Sequence, residues 1–193
     1  LLQLGYPIRN LIVSKSQMED ERMQKIISKA RENKVTICPM YGGERLQSED
    51  TSIRILWPFC EAKTKEIGEE ALKSAKDGNE QSLVLLYEDN GFRAMFAGDI
   101  SSEVEREILK LSKEQKEIDL SKLDLYKCNH HGSKYSSCIE WIQALSPKQT
   151  TISYGEGNLY GHPHEETLEK LKGVGSEVFT TQDHGAVTVN MEK

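Results

Sequence analysis

A chain of 193 residues with 37% hydrophobic and 29% charged side chains has room for one sizeable core and falls outside the disordered and fibrous classes. Its formal net charge of −6, from 25 Lys and Arg against 31 Asp and Glu, excludes a surface that traps nucleic acid by charge all over, though not a local basic groove. No stretch approaches the about eighteen uninterrupted apolar residues of a membrane span, and no signal-peptide pattern opens the chain, so the segment reads as soluble.

The chain begins at Leu1 rather than Met, and LLQLGYPIRN reads as the end of a helix leading into a strand, as if excised from something longer. Residues 9–13 form a short apolar strand. Ser16 with Glu19 fits a capping box, and Met18, Met23, Ile26, Ile27 and Ala30 recur at helical spacing over residues 17–33. Strands are expected at 35–38 and 52–56, separated by a turn at Gly42-Gly43. Between Pro58 and Asn79 the composition turns to Glu, Lys and Ala. This stretch reads as a solvated insertion or, as the alternative, a partner-binding helix.

Residues 82–88 (SLVLLYE) and 92–97 (FRAMFA) are two strong strands joined by Asp89-Asn90-Gly91, a hairpin signal, and the second ends in Gly98-Asp99. A charged helix follows over 101–116, with Val104, Ile108, Leu109 and Leu111 on one face. A strand at 123–128 then runs into Asn129-His130-His131-Gly132-Ser133. A helix at 138–145, a strand at 150–154, the loop through Tyr160-Gly161-His162-Pro163-His164, a helix at 165–171 and strands at 177–180 and 186–189 complete the chain. Strands alternating with helices predict an α/β fold, and the hairpin makes the sheet mixed. Cys38, Cys60, Cys128 and Cys138 lack ligand or disulfide spacing and read as thiols, mostly buried.

Four of the five histidines fall in two tight groups, each just past a strand in a glycine-containing loop, where α/β folds place reactive groups. A hydrolytic metal centre needs neutral imidazoles and a carboxylate on separate rigid elements. Asp99, His130 with His131, and His162 with His164 supply those groups. A carboxylate at the end of an apolar strand can present both oxygens to two metals about 4 Å apart. The competing role for Asp99 is to cap the helix starting near Ser101.

The succession NEQSLVLLYEDNGFRAMFAGDI, LDLYKCNHHGSKYSS, SYGEGNLYGHPHEETLEKL and TTQDHGAVTV resembles the metallo-β-lactamase domain at the C-terminus of the competence DNA-internalisation channel, the ComEC family. The likeness is strongest over residues 79–189 and weaker at the start. It implies a metallo-β-lactamase fold, an αββα sandwich with mixed sheets, of which residues 1–193 would be a single truncated domain, the C-terminal two-thirds. Position by position, Asp99 matches the aspartate that bridges two metals and His162 the last metal-binding histidine. His131 and His130 match residues that complete coordination or hold the scissile phosphate, their roles undivided, and Ser133 adds a hydroxyl there. His164 reads as a helix-start residue and His184 as a turn residue facing solvent.

The implied activity is metal-dependent hydrolysis of phosphodiester bonds, a nuclease acting on DNA during uptake, with zinc or manganese in a two-metal site. The implied setting is the extracytoplasmic face of the cell membrane, linked to a membrane channel. One departure stands out. The family's histidine-and-aspartate motif after an early strand is absent, and no histidine precedes His130. Either that motif lies upstream of Leu1, or the chain is a degenerate relative. A small-molecule esterase or phosphodiesterase of the same fold and a metal-free scaffold are the rival functions.

Overall fold

The computed structural model describes residues 6–60, 78–114 and 118–191. The polar stretch expected as an insertion falls largely on 61–77, and the end of the 101–116 helix on 115–116, outside the described residues. β1 (Asn10–Ser14) and β2 (Thr36–Met40) pair in parallel as a two-stranded sheet, connected by α1 (Glu21–Glu32), which buries Ile27 and Ala30.

The expected capping box does not form. Ser16 lies inside a 3-10 turn at Lys15–Gln17 with its Oγ 2.7 Å from Ser14 Oγ, and the helix starts later, capped by Asp20. Asp20 Oδ1 accepts from the Arg22 and Met23 amides at 2.9 and 3.0 Å. A carboxylate satisfies two unpaired helix N–H groups and suits the positive end of the helix dipole, so it displaces the weaker serine cap.

The second sheet has seven strands side by side in chain order: β3 (Arg45–Gln47), β4 (Thr51–Trp57), β5 (Val84–Asp89), β6 (Phe92–Phe96), β7 (Leu125–Lys127), β8 (Gln149–Ile152) and β9 (Glu177–Thr180). Neighbours are antiparallel from β3 to β6 and parallel from β6 to β9. The expected hairpin is β5 and β6, turned through Asn90 and Gly91, both at positive φ (47° and 87°). The fold class is therefore α/β with a mixed sheet. The short strand β3 was not expected, because Arg-Leu-Gln carries no apolar alternation and all three residues are exposed.

Each parallel crossover carries a helix: α2 (Ser102–Glu114), α3 (Ile139–Leu145) and α4 (Glu165–Gly173). Leu86, Met95 and Tyr126 stand in register across β5, β6 and β7 and share one core with Ile108, Trp141 and Leu171 of the helices. Each such side chain, fully buried, contributes about 1.5–3 kcal/mol before ordering entropy is counted.

The strand expected at 186–189 is absent. Val187 and Val189 are half-buried and alternate with exposed neighbours, but the segment pairs with no strand among the described residues. It passes beside Leu125, Gln149, Thr151 and Phe179, leaving a cavity of about 350 Å³. Alternating sequence makes a strand only where a neighbouring backbone supplies the ladder.

Because β6, β7 and β8 are parallel, the loops at their C-terminal ends leave from one sheet edge. Phe96, Lys127 and Thr151 lie in register there, and Asp99, the His130-His131 pair and the loop holding His162 follow them. Loops at the carboxyl ends of parallel strands are the usual place for a site in such sheets.

Candidate active site

Asp99 is aimed by the glycine before it. Gly98 has φ +56°, and a Cβ there would sit 2.6 Å from Ser82 Cβ, so only glycine lets the chain turn so close to β5. Ser82 Oγ accepts the Asp99 N–H at 3.3 Å and fixes the turn.

His130 and His131 both adopt left-handed backbone conformations, with φ/ψ of 46°/42° and 56°/25°, and Gly132 continues at φ +82°. For non-glycine residues this costs roughly 1–2 kcal/mol each. The surroundings enforce it: His130 N donates to Gly98 O at 3.0 Å, Ser133 N to His130 O at 3.0 Å, and His164 N to Gly132 O at 2.9 Å. These bonds tie the histidine loop to the Asp99 turn on one side and to the His162 loop on the other.

The His131 ring is orientated by its Nδ1, 2.6 Å from Ser153 O. A carbonyl only accepts, so Nδ1 carries hydrogen, and in the neutral ring the lone pair is left on Nε2. Nε2 faces Asp99 Oδ1 at 3.7 Å. Two acceptors face one another favourably only when a positive charge, a proton or a metal cation, lies between them.

A buried carboxylate underlies the loop. Glu105 of α2 is fully enclosed; its Oε1 accepts from Asn129 Nδ2 at 2.6 Å and Ser137 N at 2.5 Å, and its Oε2 from Cys138 N at 2.7 Å. Burial pushes this carboxyl up from its ordinary pKa, and the Cys138, Ser137 and Asn129 donors oppose the rise. Glu105 thus clamps both ends of the segment carrying His130 and His131 onto α2. In the sequence Glu105 reads only as one charge in a charged helix. The signal was there, since Glu105 lies three residues before Ile108 and four before Leu109, inside the apolar stripe.

The His162 loop is closed on itself. Asn158 Nδ2 donates to His162 O at 2.8 Å and Asn158 Oδ1 accepts His162 N at 2.9 Å. The His162 ring lies 5.6 Å from that of His130, 6.5 Å from His131 and 5.1 Å from His164, with Tyr160 stacked on it at 5.7 Å. Burial lowers its pKa and His164, His130 and His131 add to that, while Asp99 opposes it. The neutral imidazole, the form that ligates metals, is favoured. Lys127, not singled out from sequence, ends β7 with Nζ 3.1 Å from Cys128 O. Burial lowers its pKa, and the charge of Asp99 acts in the opposite sense.

Asp99, His130, His131 and His162 are therefore brought to one place. Ser133 is not on their open face: it is 2% exposed and its Oγ accepts the Tyr135 N–H at 3.3 Å inside the loop. His164 stands at the N-cap of α4, as expected, though its side chain makes no capping bond and its buried Nδ1 has no hydrogen-bond partner among the described residues. His184 is exposed and ends a helical turn, α5 (Thr181–His184), with its ring 5.6 Å from Phe179. The four cysteines form no disulfide.

The fit to a metal is partial. Ligands about 2.0–2.2 Å from a shared zinc stand roughly 3–4 Å apart, which the Asp99 and His131 pair matches. Among the described residues, however, no three His, Cys, Asp or Glu side chains are gathered tightly enough to hold an ion.

No family model matches the chain. It is 31% identical over 187 residues to ComE operon protein 3 of Bacillus subtilis, an alignment covering 97% of this chain. The chain is homologous to a segment of the ComEC-family competence proteins. Recombination protein 2 of Haemophilus influenzae is 30% identical over 58% of this chain, and competence protein ComA of Neisseria gonorrhoeae 29% over 58%. The chain spans 22%, 13% and 15% of the lengths of these three relatives. A solved structure named as a metal-dependent hydrolase, from Parabacteroides distasonis, superposes with a TM-score of 0.43 at 13% identity, covering 79% of this chain and 60% of that one.

Proposed function

We propose that this ComEC-family segment carries part of the active site of a metal-dependent phosphodiesterase that cleaves DNA during its uptake. The carrying observation is the pair of facing acceptors, Asp99 Oδ1 and His131 Nε2 at 3.7 Å, with His131 Nδ1 fixed on the Ser153 carbonyl. A backbone carbonyl on the far nitrogen is how a ligating histidine is commonly orientated.

In this reading Asp99, His131 and His162 hold a divalent cation, zinc or manganese. When bound, such a cation supplies Lewis acidity towards a phosphoryl oxygen and lowers the pKa of water. The chain's own residues do the rest. Asp99 contributes the negative charge that offsets closely held cations, Ser153 keeps His131 in one tautomer, and Asn158 keeps the His162 loop closed. His130, strained into place beside His162, is the candidate for contacting the scissile phosphate. Ser133, enclosed in its turn, supports the loop in this proposal rather than the phosphate. The donors a two-metal site needs beyond these three are assigned to another part of the full-length protein.

The setting is proposed from the competence relatives: the extracytoplasmic face of the membrane, linked to a channel that admits DNA. Among the described residues no helix is long and apolar enough to cross a membrane, so attachment would fall to other segments. A metal-free scaffold is the second reading, favoured by the lack of a three-donor cluster among the described residues. The deciding experiment assays the full-length protein with manganese and with zinc on single-stranded DNA and on a small phosphodiester, alongside elemental analysis. Cleavage of DNA by a metal-loaded protein supports the proposal; a protein that takes up no metal and cleaves neither substrate overturns it.

A further inference from the structure

We infer that the depression beside His131 and His162 is a nucleobase-stacking subsite in which Tyr160 is the platform, seating the base next to the scissile phosphate irrespective of its identity. This rests on the phosphodiesterase reading above and names what that site would grip besides phosphate.

The depression has a volume of about 430 Å³ and is lined by His131, Ser153, Tyr154, Asn158, Tyr160 and Thr181, among others. That falls within the range of small-molecule sites. Tyr160 is 79% exposed and its neighbour Leu159 98% exposed. Of these, Tyr160 lines the depression, where an exposed ring is open to a ligand. Nor is Tyr160 a loose loop tip. It sits inside the Asn158–His162 clasp, with its ring nearly parallel to that of His162 (24°) at 5.7 Å. A flat aromatic surface is thus presented on a braced loop, stacked on His162, one of the proposed metal ligands.

The polar groups of the pocket explain why stacking would dominate there. Ser153 O is occupied by His131 Nδ1, Thr181 Oγ1 donates to Tyr154 O at 3.0 Å and accepts Tyr154 N at 2.9 Å, and both amide atoms of Asn158 are bonded to His162. With those groups paired, the backbone, Thr181 and Asn158 leave little to read a base edge, and the exposed Tyr160 ring is the broad surface on offer. Stacking on aromatic rings is tolerant of sequence, because every base has a π-face.

The test uses the full-length protein and short single-stranded oligonucleotides carrying one 2-aminopurine, whose fluorescence is quenched on stacking. Wild type is compared with Tyr160→Leu, which keeps an apolar side chain without a ring, and Tyr160→Phe, which keeps the ring. The expected result is quenching by wild type and Tyr160→Phe, with quenching lost and binding about tenfold weaker in Tyr160→Leu. Oligo-dT and oligo-dA should bind wild type within about threefold of each other, and an oligonucleotide with an abasic position at the site should bind wild type and Tyr160→Leu alike. Wild-type quenching and affinity in Tyr160→Leu, or no quenching by wild type, overturns the subsite. Hydrolysis of the same oligonucleotides is followed in parallel: quenching without hydrolysis supports the subsite while counting against the phosphodiesterase reading.

Discussion

Replacing Glu105 by alanine removes the acceptor for three donors, Asn129 Nδ2, Ser137 N and Cys138 N, at a position with no solvent exposure to replace it. Each buried donor left unpaired costs about 1–3 kcal/mol, and breaking a buried charged network by removing one partner typically costs about 3–5 kcal/mol in all. Set against a domain stability of about 5–15 kcal/mol, that is a large fraction. Glu105→Gln is milder. Its carbonyl can keep the Oε1 bonds to Asn129 and Ser137, while its NH₂ meets the Cys138 N–H, donor against donor, for a loss of about 1–3 kcal/mol. Urea unfolding read by tryptophan fluorescence suits the measurement, because Trp57 and Trp141 are both fully buried. The midpoint should fall in the order wild type, Gln, Ala with little change in slope. An alanine variant within about 1 kcal/mol of wild type would refute the idea that Glu105 pins the histidine loop to α2.

Other expectations follow from single contacts. Gly132→Ala places a Cβ 2.6 Å from Pro163 Cβ and 3.1 Å from Pro163 Cα at φ +82°, so it should cost about 2–4 kcal/mol and push the two histidine loops apart; an unchanged melting temperature contradicts this. Burial pushes the Cys128 thiol up to about 11 and the Cys138 thiol up to about 12. Both thiols therefore stay protonated at pH 8, and iodoacetamide should modify neither until the protein unfolds, as peptide mass mapping will show. Asn158→Ala removes both clasps of the His162 loop and should reduce phosphodiester turnover at least tenfold while leaving the melting temperature within a few degrees; retention of full turnover would show that the clasp does not position His162.

The sequence carried the strand-helix alternation, the hairpin through Asn90 and Gly91, and the grouping of Asp99 with the histidines, because those depend on local periodicity and on parallel strands delivering their loops to one edge. It misled at Ser16, where a nearby carboxylate made the better cap, and at 186–189, where the alternation of Val187 and Val189 says nothing about whether a partner strand is available. The burial of Ser133 and the left-handed backbone of His130 and His131 were not legible, since the first goes with the Thr167 hydroxyl bonded to Ser133 O and the second with the bonds of His130 to Gly98 and of His131 to Ser153, all of which exist only once the loops meet. Glu105 and Asn158 are of the same kind: ordinary polar residues whose roles come from what lies opposite them.

Asp99 is the residue on which the proposed site depends most directly. In the full-length protein, Asp99→Asn keeps the size of the side chain but removes the charge that faces His131 Nε2 at 3.7 Å. Hydrolysis of single-stranded DNA should be lost and metal content reduced, with an unchanged circular dichroism spectrum. A folded Asp99→Asn protein that cleaves DNA at the wild-type rate and retains wild-type metal content would contradict the assignment of this site.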